Sequence, residues 1–475
     1  MNDLAQQPDP ASATRSSSAG PAAIVVAYHF YPSPEIGARR MSALARLLQA
    51  RGWTVAVVSA LAGLACGGAQ DPARAALAAY DVEHVPDRTS AVVAFLVSTK
   101  RLLRRVTGHP AAASAAGDRA PAAGTSAFHR VLFGVLRIVD DKKSWSWRAA
   151  RKLEILARRH PAGVVIVSAP PISPLYCVAR SARRLQLPLI VDLRDPVSDT
   201  ATPDARRPFT RRWSTLRVLE RYVIARAAAV VTTSAGLRDL LAARYPGART
   251  RIVCIANGFD GHPSGRRTDT GHELVMVYAG ELYLNRNPFP FLEAVNRLLA
   301  RPGVDASRVR IVFAGECDSY RGVSLRGWAA TRPCGRVLAI HPRLDSSKLK
   351  PIYQQATLLL NFAEGQPIQV PAKTFELLTL GREILVMCEP HSDTARIIRG
   401  LDGVFGVYSA DSAQLDELLG TLYRRHVVAG HMSPPAASSV MRYSRAIQNE
   451  RYATLIDDIR LGKLPVAVDP AHHGN

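Results

Sequence analysis

Ala23-Ile24-Val25-Val26-Ala27, the loop Tyr28-His29-Phe30-Tyr31-Pro32-Ser33-Pro34-Glu35-Ile36-Gly37, a helical pattern from Ala38 to Ala50, and then Thr54-Val55-Ala56-Val57-Val58-Ser59 decide the fold. Both short runs are apolar almost continuously rather than at alternate positions, which is the pattern of strands covered on both faces. Gly52 is placed to end the helix between them. Strand, loop, helix and strand in this order make a βαβ unit, and a βαβ unit predicts a parallel sheet.

The alternation continues outward from that unit. Strands are expected at 163–168, 189–193, 229–233 and 252–255, with helices at 174–185, 209–226 and 235–245 between them. From Cys66 to Thr125 the pattern weakens, and 111–126 has the Ala, Gly, Ser and Pro content of a flexible excursion. Asn257 to Gly271, rich in Gly, Asp, Pro, His and Arg, has the composition of a linker. A second alternation follows, with strands at 274–278, 309–314, 336–340, 357–361, 384–388 and 404–407 and helices at 288–300, 346–355 and 372–380. The expected division is a disordered segment at 1–21, a Rossmann-like domain at 22–262, a second Rossmann-like domain at 272–430, a helical segment packing back across both at 431–464, and a flexible tail at 465–475.

Composition narrows the function. The chain has 475 residues, 47% of them hydrophobic, enough to bury sizeable cores. Six cysteines without a CxxC pair argue against a zinc site or a disulfide framework and suit a reducing compartment. Met1 to Gly20 is polar, and no apolar run approaches the ~20 residues a spanning helix needs, so a cytoplasmic protein is expected, peripheral on a membrane at most. A net charge of +22 predicts a polyanionic partner. No zinc-finger, RNA-binding strand or basic-zipper pattern accompanies it, which sets nucleic acid below phosphorylated substrates and anionic lipid. Val92 to Val106 pairs an apolar half with Lys100, Arg101, Arg104 and Arg105, suiting either a headgroup layer or an ordinary surface helix.

Ligands of open parallel sheets bind beyond the carboxyl ends of strands, so the loops there hold the candidate residues. Gly37, with Arg39 and Arg40 just behind it, offers a phosphate free N–H groups and two cations, or else is a turn followed by solvated arginines. Arg194 and Asp195 stand at the end of the strand Ile190 to Leu193, either paired locally or lining a polar cleft. Arg286, after Gly280 at the first strand end of the second domain, suits phosphate oxygens with paired donors. Lys373 and Glu376, three apart on one helical face, are either a surface ion pair or a cation and carboxylate facing a nucleotide.

In combination these stretches resemble the retaining family 4 glycosyltransferases of the GT-B fold. The resemblance runs from Ala23 to Arg399 through Tyr28 to Arg40, Ser168-Ala169-Pro170-Pro171, Val191-Asp192-Leu193-Arg194-Asp195-Pro196, Ile255 to Asp260, Val277-Tyr278-Ala279-Gly280 and Val370-Pro371-Ala372-Lys373-Thr374-Phe375-Glu376. It implies two Rossmann-like domains facing across a cleft, an acceptor-binding one at 22–262 and a nucleotide-sugar-binding one at 272–430, with a UDP- or GDP-sugar as donor and a glycan or lipid-linked acceptor. It implies that Glu376 holds the donor ribose, that Arg286 and Lys373 face the diphosphate, that Gly37 and Gly280 let backbone approach the donor, and that Arg39, Arg40, Arg194 and Asp195 lie on the acceptor side. Asp195, Arg286 and Lys373 are then the catalytic candidates. Retention of configuration without metal or other cofactor is the implied chemistry. Two positions depart from the family pattern: Ile368 stands where a further glutamate is common, with Glu364 four residues earlier, and Arg194 and Asp195 occupy the neighbourhood of a common histidine. A nucleotide-sugar epimerase on the same scaffold and a silent nucleotide-binding or adaptor homologue are the alternatives.

Overall fold

A computed structural model describes residues 20–33, 35–60, 80–87, 140–160, 162–198, 211–265, 267–283 and 285–463. The Val92–Val106 stretch, the 111–126 excursion and the tail at 465–475 lie outside them, as does most of the segment at 1–21.

The first half is built from β1 (Ala22–Ala27), α1 (Ile36–Ala50), β2 (Thr54–Ala60), β3 (Asp81–Val85), α2 (Lys143–Arg159), β4 (Ala162–Ala169), α3 (Ser173–Arg184), β5 (Leu189–Leu193), α4 (Arg211–Ile224), β6 (Ala229–Thr232), α5 (Ala235–Arg244) and β7 (Ile252–Cys254). Its seven strands are parallel in the order β3-β2-β1-β4-β5-β6-β7. The β1 residues alternate between two cores. Ile24 and Val26 join Trp145, Leu153 and Leu156 of α2 on one face. Ala23 and Val25 join Met41, Leu44 and Leu48 of α1 on the other.

The second half contains β8 (Leu274–Ala279), α6 (Phe289–Leu299), β9 (Val309–Ala314), the hairpin β10 (Ser319–Tyr320) and β11 (Val323–Ser324), α7 (Leu325–Ala329), β12 (Leu338–His341), α8 (Ser346–Gln355), β13 (Leu358–Phe362), α9 (Ala372–Leu377), β14 (Glu383–Met387), α10 (Asp393–Ile398), β15 (Val404–Val407) and α11 (Ser412–Tyr423). Its six-stranded parallel sheet runs β12-β9-β8-β13-β14-β15. Two doubly wound sheets, each reversing direction beside its first strand, have their ligand crevices at those reversals, beyond β1 and β4 in one half and beyond β8 and β13 in the other.

Two elements differ from expectation. α9 stops at Leu377 instead of Leu380, because Thr379 N–H and Leu380 N–H bond back three residues to Glu376 and Leu377. The Thr379 hydroxyl also donates to the Glu376 carbonyl at 2.7 Å, and Gly381 at φ +60° turns the chain away. Gly37 lies inside the first turn of α1 rather than ahead of it.

The chain crosses between the halves twice. It passes outward at 255–260 and returns through α12 (Ala437–Met441) into α13 (Arg445–Arg460). The two crossings are bonded to each other: Phe259 N–H donates to Tyr443 O at 3.1 Å and Arg445 N–H to Phe259 O at 2.7 Å. The Arg445 guanidinium adds bonds to the Asn257 and Gly258 carbonyls and to Asp260. Val440 and Tyr443 pack in the second half. Tyr452, Ala453, Leu455, Ile456 and Ile459 of α13 pack in the first, beneath β1, β2 and β4.

Candidate active site

The carboxyl edges of the two sheets face each other. Arg39 on α1 reaches Glu376 on α9 at 3.6 Å, and Gln369 donates to Asp195 at 2.7 Å. Beside them, the Ser234 hydroxyl donates to Ile368 O at 2.6 Å and Gly236 N–H to Asp393 at 2.7 Å. The space between the edges is a cleft.

On the second-half wall, β8 and β9 end in two glycine turns that touch. A side chain on Gly315, at φ +129°, would begin 2.0 Å from the Gly280 carbonyl, so only glycine brings the two turns this close. They open a cavity of about 310 Å³ lined by Ala279, Glu281, Glu316, Arg343, Leu344 and Lys373, among others. Lys373 stands over Gly280, near both Glu376 and Arg286. Desolvation lowers its pKa, Glu376 opposes that shift and Arg286 adds to it. The Arg286 guanidinium lies 4.3 Å from the Tyr283 ring centroid, and its buried Nε has no acceptor among the described residues. Lys373 thus lines the hollow, with Glu376 and Arg286 close enough to act on its charge.

On the first-half wall, Arg194 turns back over α1. Its guanidinium donates to the Ala169 carbonyl at 3.2 Å and the Pro170 carbonyl at 2.7 Å, and a side chain on Gly37 would begin 2.1 Å from it. The close approach that Gly37 permits in this structure is therefore that of Arg194. Asp195 keeps an accessible edge but lies deep between the halves, and desolvation raises its carboxyl pKa against the pull of Arg194 and of Gln369.

Arg40 requires a correction. Expected on the acceptor side, it is 3% exposed and points away from the cleft into the protein. Its guanidinium grips Asp192 through Nε at 3.0 Å and Nη2 at 2.9 Å, and donates to the Ile255 and Ala256 carbonyls at the first crossing. Asp192 also accepts from the Ser168 hydroxyl at 3.0 Å. A buried cation survives only with its charge paired and its donors satisfied, and these partners supply both. Arg40 fastens α1, β5 and the crossing together and is not a substrate contact.

Residues 37–258 match the family model described as a glycosyl transferase 4-like domain. The fold is GT-B, and its first half is similar to that domain. Solved GT-B structures cover nearly the whole chain at low identity. Anabaena Alr3699/HepE in complex with UDP is 13% identical, with a TM-score of 0.54 over 92% of this chain and 99% of that one. A UDP-forming α,α-trehalose-phosphate synthase from Burkholderia xenovorans is 12% identical, with a TM-score of 0.56 over the same shares. TarM is 10% identical, with a TM-score of 0.52 over 92% and 98%. At these identities the likeness is one of fold. No curated protein sequence matches the chain significantly.

The GT-B cleft also holds groups that were not singled out from the sequence. His29, at the end of β1, is half-buried with an unpartnered Nδ1. Burial lowers its pKa, Glu35 opposes the shift, and Arg194 and Lys142 add to it. Its place at a strand end was the available signal. Glu364, already noted in the sequence ahead of Ile368, does not face a ligand freely, because Ser409 N–H and the Ser409 hydroxyl occupy its two oxygens at 2.6 and 2.7 Å. Glu389 accepts from Gly365 N–H at 2.6 Å with one oxygen, while the other is buried without a partner. Among the described residues no group of three or more His, Cys, Asp and Glu is arranged to hold a metal ion, and no helix is long and apolar enough to cross a membrane.

Proposed function

We propose that the chain transfers a sugar from a nucleotide-sugar to a glycan or lipid-linked acceptor, with retention of configuration and without a metal. The observation that carries this reading is Lys373 lining the hollow above the Gly280 and Gly315 turns, with Glu376 and Arg286 close enough to act on its charge. Cleaving the bond from the anomeric carbon to a nucleoside diphosphate develops negative charge on the leaving phosphate. Cations already fixed in a closed cleft stabilise that charge without reorganising. In this reading Lys373 and Arg286 supply those cations, Glu376 binds the ribose hydroxyls, and Asp195 serves the acceptor side. Since HepE structures hold UDP, glucose or UDP-glucose and the synthases are UDP-forming, a UDP-sugar is the donor to try first.

Incubation with UDP-sugars should release UDP only when a glycan or lipid-linked acceptor is present. Formation of an epimeric donor without acceptor would identify the epimerase instead, and no turnover with any donor would leave a binding homologue. UDP affinity should fall as pH rises through the depressed pKa of Lys373, since the uncharged amine no longer attracts phosphate. That fall should begin below 10.5, the ordinary value for lysine, and Lys373→Arg should move it to higher pH. A flat alkaline profile would remove Lys373 from the donor site.

We also propose that the outer face of α2, α3 and α4 rests on an anionic membrane. Trp147 is 54% exposed and Val218 61%. Arg180 lies 5.9 Å from the Trp147 ring centroid, and Tyr176 meets Tyr222 at 5.0 Å, so the three helices present one band. Exposed Arg151, Arg183 and Arg221 surround these apolar tips, as interfacial binding requires. Sedimentation with phosphatidylglycerol vesicles should be salt-sensitive and weaker for Trp147→Ser. No sedimentation with phosphatidylglycerol vesicles would exclude the membrane role, and equal sedimentation with neutral vesicles would exclude its dependence on anionic lipid.

A further inference from the structure

A second cavity, of about 240 Å³, lies between the two halves and shares no lining residue with the hollow above Gly280 and Gly315. The first half contributes Thr233, Ser234, Ala235, Cys254 and Ala256 to its wall. The second contributes Val370 and part of α10, and the return crossing contributes Arg442 and Tyr443.

Its charge is one-sided. Arg396, Arg399 and Arg442 line it, against one carboxylate, Asp393. That carboxylate is already occupied: one oxygen accepts from Gly236 N–H at 2.7 Å and the other lies 3.5 Å from Arg396. Arg396 also reaches Asp239 at 3.7 Å, so it is balanced as well. Arg399 and Arg442 are exposed and have no carboxylate partner among the described residues. Arg442 is held in place by the Tyr443 ring, with 5.1 Å between guanidinium carbon and centroid. Ala235, Ala256, Val370 and Ile397 make the remaining wall apolar.

Two unneutralised guanidinium groups facing a small apolar chamber select a particular ligand class. Guanidinium offers paired donors that match phosphate oxygens, and the apolar wall accommodates an organic body. Its volume, about 240 Å³, suits a small molecule rather than a polymer. We infer that this cavity binds a phosphorylated small molecule through Arg399 and Arg442, independently of the donor site.

The test uses the full chain at low salt, with inorganic phosphate and glucose 6-phosphate as probes and glucose as the neutral control. Binding is followed by calorimetry and by thermal unfolding, since a ligand bound only by the native state raises the transition. Both anions should bind the wild type and Lys373→Gln alike. Binding to the Arg399→Gln/Arg442→Gln double variant should be at least about tenfold weaker, because two charge-assisted contacts are lost. UDP should bind the double variant as it binds the wild type. Undiminished anion binding by the double variant, loss of anion binding in Lys373→Gln alone, or no binding of either anion to the wild type would each overturn the inference. Failure of UDP to bind any of the proteins would count against the proposed transferase and leave the anion result to be read by itself.

Discussion

Replacing Glu376 by alanine should weaken UDP binding by about one to two orders of magnitude and leave the unfolding transition where it is. A carboxylate accepting two hydrogen bonds from vicinal hydroxyls supplies contacts of about 1.5–3 kcal/mol each when charge-assisted, and partial rehydration on their loss leaves the stated range. Stability should not follow, because the Glu376 side chain is 51% exposed and its ion pair with Arg39 spans 3.6 Å of open cleft. Exposed pairs of that kind contribute less than about 1 kcal/mol. Alanine also favours the helical conformation that Glu376 adopts in α9. Titration calorimetry with UDP and a urea transition distinguish the two effects. Wild-type affinity in Glu376→Ala would take the ribose role away from this residue.

Arg40→Met should do the reverse, costing about 3–5 kcal/mol of stability by leaving Asp192 buried without its cation. Asp192 is fully buried, so water cannot replace the lost partner. The Ile255 and Ala256 carbonyls lose their donors in the same substitution. The Arg40→Met/Asp192→Asn double variant should lose less than Arg40→Met alone, since a neutral amide is cheaper to bury than an unpaired carboxylate. Urea denaturation measures both. A wild-type midpoint in Arg40→Met would show that the network does not hold the first half together.

The same residue shows where sequence reading ended. The parallel strands were legible because Ile24, Val57, Ile166 and Val191 belong to nearly continuous apolar runs, and being covered on both faces leaves that signature in one dimension. The edge strand β3, Asp-Val-Glu-His-Val, was not, because among the described residues only β2 pairs with it and its polar residues obscure the pattern. α2 carries a readable stripe in Trp145, Ala149, Leu153 and Leu156, diluted by six Lys and Arg residues in the same helix. At the site, Lys373 and Glu376 were visible as a helical pair, and Arg286 as a cation at a strand end. Arg39 and Arg40 are adjacent in the chain and indistinguishable there by type. Their directions differ by one helical step of about 100°, which carries one to the cleft and the other to Asp192. Only the packing of α1 against β5 and the crossing decides between them.

The bonded double crossing makes the second half an insertion within the first, and this sets an order of events during synthesis. Strands β1 to β7 are made before the second half, but α13, which seals the underside of β1, β2 and β4, is made after it. A nascent chain therefore carries an open apolar flank on its first half while the entire second half is being made. A premature stop ahead of Ser444 would leave that flank permanently uncovered, so the loss of α13 damages a sheet that precedes it by the whole second half.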